Sequence, residues 1–437
     1  GLVGLQWAGV SHARTRFDQD KFHMVAIEQF AAQLPLVDYR DYPSATTPGF
    51  HTLCAVLVKG GGGGVSGGRG LDGAIAAGLV GGLAGVVAGQ RSWLSAAVLV
   101  LPLACCSYFV EAGLYVVPDN LAWLLVVVVL SLALHETQQR VRIGAWMFAA
   151  LFVAVLVYVR QIHLWTAGAV WVAAWFGACG SQRRGAWSLL PSDGFGAGVK
   201  RMIVVGLATL PAILFLLYFV KLWGGLAPPS FQNGAPVTEA GEAEATNVVG
   251  FSLATPAFIL SLLAIYSVFA LGYVWPAVKS RRVLLRWVVL GAAVGFVLAV
   301  LPPTTWQSRP RIGGLWQVVK ALDVRGIVLV GRTSPLIVLL STFGGACVAA
   351  WLCALPARAR WVLAAALAGF TCAMTAQALS WQRYFEPLLL VWVALAASRV
   401  TGVLEDDSTA GRRVRIIGPA LLGGLMLAIT VAAFTGA

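Results

Sequence analysis

Two acids stand two residues apart at the start of the most polar stretch of this chain. They are Asp18 and Asp20, in R-F-D-Q-D-K-F-H-M-V-A-I-E-Q-F from Arg16 to Phe30. A carboxylate within hydrogen-bond reach can take a proton from a hydroxyl as that hydroxyl attacks. Asp20, just before Phe22 and His23, is the expected base, with Asp18, His23 and Glu28 beside it as substrate-binding groups. The plainer role for either acid is to cap a helix or face solvent. The stretch runs on through V-D-Y-R-D-Y-P-S-A-T-T-P-G-F-H, too polar to cross a bilayer.

Other positions have the chemistry to hold a phosphate or a sugar. Arg160, Gln161 and His163 fall together in V-R-Q-I-H-L-W, where one apolar run ends and the next begins. An arginine fork suits bidentate phosphate binding, and Gln and His suit sugar hydroxyls; anchoring at a membrane edge is the alternative. Lys221 precedes a Gly-Gly and Pro-Pro loop and either attracts an anionic headgroup or snorkels. Arg383 and Tyr384, in Q-R-Y-F-E-P, either meet substrate or, for Arg383, pair with Glu386. Asp119, after Pro118, caps a helix or adds a carboxylate to the site. Arg309, Arg311, Lys320, Arg325 and Arg332 form a basic excess suited to lipid phosphates, with a generic surface patch as the alternative.

The elements that must position these residues are apolar. The 437 residues are 59% hydrophobic and 11% charged, against roughly 25% charged in soluble domains. That composition predicts an all-α polytopic integral membrane protein, a single transmembrane domain over 1–437. Spans of about 20 residues are expected near 74–90, 93–110, 120–134, 142–158, 164–179, 201–222, 251–274, 284–302, 335–355, 361–378, 384–398 and 416–434. The opening at Gly1 adds the expectation of a first helix upstream.

Alternate connections carry the basic clusters: Arg91; Arg140 and Arg142; Arg183, Arg184, Lys200 and Arg201; Lys279, Arg281 and Arg282; Arg358 and Arg360; Arg399, Arg412, Arg413 and Arg415. The positive-inside rule makes those cytoplasmic, so the net charge of +13 reads as topology, not as nucleic-acid binding. The opposite side then holds a first loop over 10–73 and further loops over 223–250 and 302–334. Within the first loop, Phe22, Val25, Ala26 and Phe30 recur at helical spacing, predicting an amphipathic helix on the membrane surface with His23 and Glu28 on other faces. Thr47 to Val58 predicts a second interfacial helix, and Gly60–Gly70 a flexible loop. The seven cysteines lack ligand spacing and read as packing residues.

These residues in this order resemble the GT-C superfamily of membrane glycosyltransferases. The nearest likeness is the α-1,2-glucosyltransferase family that adds the last glucose to the dolichol-linked N-glycan precursor. Its D-E-x-F-H and T-T-P-P-G motifs resemble Gln19-Asp20-Lys21-Phe22-His23 and Thr46-Thr47-Pro48-Gly49-Phe50. Its R-Q-T-N-I-x-W resembles Arg160 to Trp165, its W-N-G-G-I resembles Leu222 to Leu226, and its R-Y-x-x-x-P resembles Arg383 to Pro387. The motifs are short and spread over nearly the whole chain. Gln19 replaces the first acid, one proline is missing, and His163 replaces the family asparagine, so sugar and acceptor stay open.

The resemblance implies a GT-C fold of about twelve transmembrane helices and an inverting transfer of glucose or a related hexose. The donor would be a polyprenyl-phosphate sugar, the acceptor a glycan or lipid-linked glycan, and the active site would face the periplasm of a bacterial inner membrane, or the lumen of the endoplasmic reticulum in a eukaryote. Phosphate would rest on Arg and Lys while Asp20 deprotonates the acceptor. No cofactor is called for, and no acidic cluster demands a divalent metal. The alternative is a lipid-linked-glycan flippase or other transporter, with the same charges lining a path.

Overall fold

The computed structural model describes residues 13–135, 143–177, 187, 189–191, 193–233, 250–279, 285–307, 311–322, 332–400 and 409–435. Arg140, Arg142, Arg183, Arg184, Arg281, Arg282, Arg309, Arg325, Cys179 and most of the 223–250 loop lie outside them.

Among the described residues the chain is almost wholly helical. It begins with α1 (Ala13–Asp18), a π-turn (Gln19–His23) and α2 (Met24–Gln33), followed by α3 (Gly49–Lys59) and α4 (Gly64–Ala88). Next come α5 (Trp93–Ala104), α6 (Ser107–Leu114), α7 (Asp119–Leu134), α8 (Ile143–Val159) and α9 (Thr166–Phe176). They are followed by α10 (Phe195–Trp223), α11 (Pro229–Asn233), α12 (Thr255–Phe269), α13 (Leu271–Lys279) and α14 (Leu285–Val300). The last are α15 (Gly314–Leu322), α16 (Pro335–Ala354), α17 (Ala357–Thr375), α18 (Glu386–Arg399) and α19 (Thr409–Thr435). The all-α expectation needs one amendment: β1 (Arg311–Ile312) pairs in parallel with β2 (Ser380–Trp381).

Among the described residues four helices, α4, α10, α16 and α19, are long and apolar enough to cross a bilayer. The count reaches six if α5 with α6, bent by 75°, and α12 with α13, bent by 82°, each form one broken span. This is a membrane-embedded protein. At its centre, α18 is buried on every side from Glu386 to Ser398, as a helix apolar all round requires. Glycines let α14 and α16 touch backbone to backbone. A Cβ on Gly345 would stand 2.1 Å from the Gly291 carbonyl, and one on Gly295 2.2 Å from the Ser341 carbonyl.

Two expectations are corrected. The glycine tract is not a loop throughout: α4 starts at Gly64, after Gly63 turns the chain with a φ of +77°. Helical glycines are tolerated here because the turn packs closely, Gly68 fitting against Val116. The surface helix also buries a different face from the one expected. Val25 is exposed, and the buried face is Met24, Ala26, Ile27 and Phe30. The π-turn before it, closed by a bond from the Met24 N–H to the Gln19 carbonyl, sets Phe22 off the phase of this helix.

The basic clusters do more than set topology. Arg358 donates to the Ala133 and His135 carbonyls, and Arg399 to that of Leu134, closing the C-terminus of α7. Arg91 closes α18 through the Ala397 and Val400 carbonyls, Arg360 closes α16 through those of Leu352 and Leu355, and Arg201 closes α9 through those of Ala174 and Trp175. Cations at helix C-termini satisfy orphan carbonyls and offset the negative dipole ends. The four helices so capped present their N-termini to the opposite end of the bundle.

Candidate functional site

At that opposite end the π-turn decides which acid faces inward. In an α-helix residues five apart point about 140° away from each other; the wider π-turn, closed by i→i+5 bonds, brings Asp18 and His23 to one side. Arg383 Nη1 donates to Asp18 Oδ2 at 2.8 Å, and Arg160 pairs with Asp119. Both pairs are largely shielded from solvent, side-chain exposure ranging from 15% to 27%. His23 is half-buried and lies within electrostatic range of all four charges.

Separate parts of the chain hold this cluster. Asp119 opens α7, and the loop before it is clamped twice: the Val116 N–H donates to Gln19 Oε1 at 3.1 Å and the Val117 N–H to Asp72 Oδ2 at 3.2 Å. Arg160 ends α8, where the backbone turns extended before the 3-10 turn Gln161–Trp165. Arg383 and Tyr384 lie on the 3-10 turn Gln382–Tyr384 that leads into α18. Gln382 fixes that turn, accepting from the Leu315 N–H at 2.9 Å and donating to the buried Glu386. Tyr384 stacks on Trp381 with ring centroids 5.6 Å apart, and both arginines stand over the Tyr384 ring, at 5.4 and 5.0 Å.

Beside the charges stand three histidines. His23 Nδ1 and His51 Nε2 are 2.9 Å apart with their rings stacked. His163 is buried against Trp123, and its Nδ1 accepts from Trp165 Nε1 at 3.3 Å. Burial holds His23 at about 4, the fields of Asp18 and Asp119 opposing the shift. Burial, with Arg160 adding to it, takes His163 to about 3. Burial, with His23 alongside, pushes His51 well below the usual range. All three rings are therefore neutral at pH 7.

The structure thus gathers Asp18, His23, Asp119, Arg160, Arg383 and Tyr384, with His163 at the edge. The base assigned from sequence is elsewhere. Asp20 faces Arg16 at 3.5 Å with its side chain 48% exposed, and accepts from Gln19 rather than reaching the cluster. Glu28 is exposed on α2, and Lys221 is exposed in the last turn of α10. Gln161 is not open to a sugar. Its amide donates to the Ala45 and Leu226 carbonyls, and its oxygen accepts from the Thr47 N–H at 3.0 Å, so it clasps the Thr-Thr-Pro-Gly turn to the Pro-Pro loop. Arg311 is not a phosphate site either. It is buried, bonded to the Pro303 and Thr305 carbonyls, and lies over Trp316. Arg383 pairs with Asp18 and not with Glu386, which instead accepts from the Cys106 thiol at 3.1 Å.

Sequence reasoning missed His51 and Trp381. The signal for His51 was its place one turn after Thr47-Pro48, inside the same polar insert; Trp381 was signalled by its place beside Arg383. Among the described residues no three His, Cys, Asp or Glu side chains gather to hold a metal ion. The chain matches no family profile, no curated protein and no solved structure.

Proposed function

We propose that this protein transfers a sugar from a polyprenyl-phosphate donor to a hydroxyl of a glycan or lipid-linked acceptor, with inversion at the anomeric carbon. In this reading the chain has a GT-C architecture of about twelve spans, with the cluster on the outer face of the membrane. The observation that carries it is the meeting of Arg160 and Arg383 over Tyr384, at the end of the bundle where α7 and α18 begin. Helix N-termini and arginine forks both favour a phosphate, while the opposite helix ends are neutralised by the capping arginines.

Each guanidinium of the cluster rests on a carboxylate. A donor phosphate would take over those guanidiniums and remain on them as the leaving group. Stabilising charge that develops at the leaving oxygen is where preorganised cations act most strongly. A phosphate needs little protonation to depart, so one base for the acceptor hydroxyl completes the chemistry. Trp381, stacked on Tyr384 and with the Arg383 guanidinium over its ring at 4.7 Å, completes the aromatic wall beside the cluster.

Purified protein in lipid nanodiscs, given polyprenyl-phosphate glucose, mannose or arabinose and a glycolipid acceptor, should release polyprenyl phosphate and form a new glycoside. Movement of the intact lipid across the bilayer without cleavage of the sugar–phosphate bond would replace this reading with a flippase.

A further inference from the structure

The histidine pair can share a proton in either direction, and one neighbour favours one of them. The carbonyl of Thr47, one turn before His51, lies beside the His51 ring, although His51 Nδ1 makes no full hydrogen bond there. A carbonyl only accepts, so a proton on Nδ1 of neutral His51 would face it, and Nε2 would then present a lone pair. In that arrangement His23 Nδ1, 2.9 Å away, carries its own proton and donates it to His51. That leaves His23 Nε2 unprotonated, and it makes no hydrogen bond among the described residues. Thr47 is itself fixed, its hydroxyl donating to the Val157 carbonyl at 2.7 Å and its N–H to Gln161.

The carboxylates of the cluster are committed in a way His23 is not. Asp18 is bonded to Arg383 and Asp119 to Arg160, while Asp20 faces away. The charged groups facing His23 are Asp18 before the π-turn, Asp119 on α7, Arg160 after α8 and Arg383 before α18, with His51 on α3 the neutral partner.

Resting on the sugar-transfer reading, we infer that His23, through Nε2, is the base that takes the acceptor's proton, and that His51 is the positioning residue that holds His23 in the competent tautomer. The acceptor O–H bond breaks and its proton passes to Nε2. The acceptor oxygen forms a bond to the anomeric carbon as the bond from that carbon to the phosphate oxygen breaks. The electron pair leaves with the phosphate, onto Arg160 and Arg383, and the imidazolium then loses its proton to solvent. Arrival of a phosphate anion offsets the two guanidinium fields and makes His23 more basic when the donor is bound. An imidazole near 4 is already no weaker a base than an ordinary carboxylate at about 3.9.

Two measurements test this. In protein carrying 15N-labelled histidine, His23 should show a protonated Nδ1 and a bare Nε2 at pH 7, and undecaprenyl phosphate should raise its titration. His23→Gln should lower transfer by about 100-fold or more with undecaprenyl phosphate binding retained. His51→Leu should lower transfer and mix the two His23 tautomers, and His51→Gln, whose amide oxygen can accept from Nδ1–H, should recover most of the rate. A protonated Nε2 in the neutral ring overturns the proposal, as does a His23→Gln protein that transfers normally while Asp18→Asn or Asp119→Asn abolishes transfer. If the wild-type protein transfers no sugar, the functional reading fails, and the nitrogen spectrum still decides the tautomer.

Discussion

Arg383 donates to the Asp18 carboxylate at 2.8 Å across 365 residues of chain. This contact ties the surface segment that precedes the first long helix to the turn leading into the central one. A double-mutant cycle with Asp18→Asn and Arg383→Gln should give a coupling of about 1–2 kcal/mol, below the fully buried value because the pair is partly wetted. Additive losses in unfolding midpoint would show that the two residues do not act together.

Asp20 and Asp18 should respond differently to the same change. Asp20→Asn removes a half-exposed charge and should alter stability by no more than about 0.5 kcal/mol, with polyprenyl phosphate binding kept. Asp18→Asn leaves Arg383 without its carboxylate and should alter both. Equal effects on binding would place Asp20 in the cluster after all.

Arg160→Lys should weaken undecaprenyl phosphate binding about tenfold, because a lysine point charge lacks the planar fork and stacks poorly on Tyr384. Titration calorimetry in detergent would measure it. Wild-type affinity in the lysine variant would mean that charge alone holds the anion.

Stability should rise with pH between about 4 and 6.5. His23 sits near 4 and His163 near 3 in the folded protein, both below the ordinary 6.5. In that window the unfolded chain binds protons the folded one refuses, so acid favours unfolding, and above 6.5 the effect vanishes. Thermal melting of wild type and His163→Asn across pH 4 to 7 checks this, since the variant should lose part of the slope.

Gly345→Val should destabilise by about 2 kcal/mol or more, because its Cβ would collide with the Gly291 carbonyl and force α14 from α16. A melting temperature unchanged from wild type would mean the helices separate freely.

Much of the architecture could be read from composition, since apolar runs bounded by arginine clusters mark helices wherever they occur. The clusters' second role could not. Arg358 and Arg399 meet α7 carbonyls 225 and 265 residues away, and no local pattern encodes such distances. The site was half legible. Asp119, Arg160 and Arg383 each stood out as charges at the edges of apolar runs, but the choice between Asp18 and Asp20 rested on a turn of unusual width that α periodicity cannot express. Gln161 shows the same gap. Its polarity marked it for a ligand, whereas its hydrogen bonds are consumed by backbone.

The length of α7 carries a further implication. Its 16 residues rise about 24 Å from Asp119 to the carbonyls held by Arg358 and Arg399, less than the ~30 Å hydrocarbon thickness of a typical bilayer. If α7 crosses the bilayer, the charges at its two tips reach the headgroups only by side-chain snorkelling or by a local thinning of the membrane. On the proposed sugar-transfer reading, thinning of that kind would bring a donor phosphate to the guanidiniums without its leaving the leaflet.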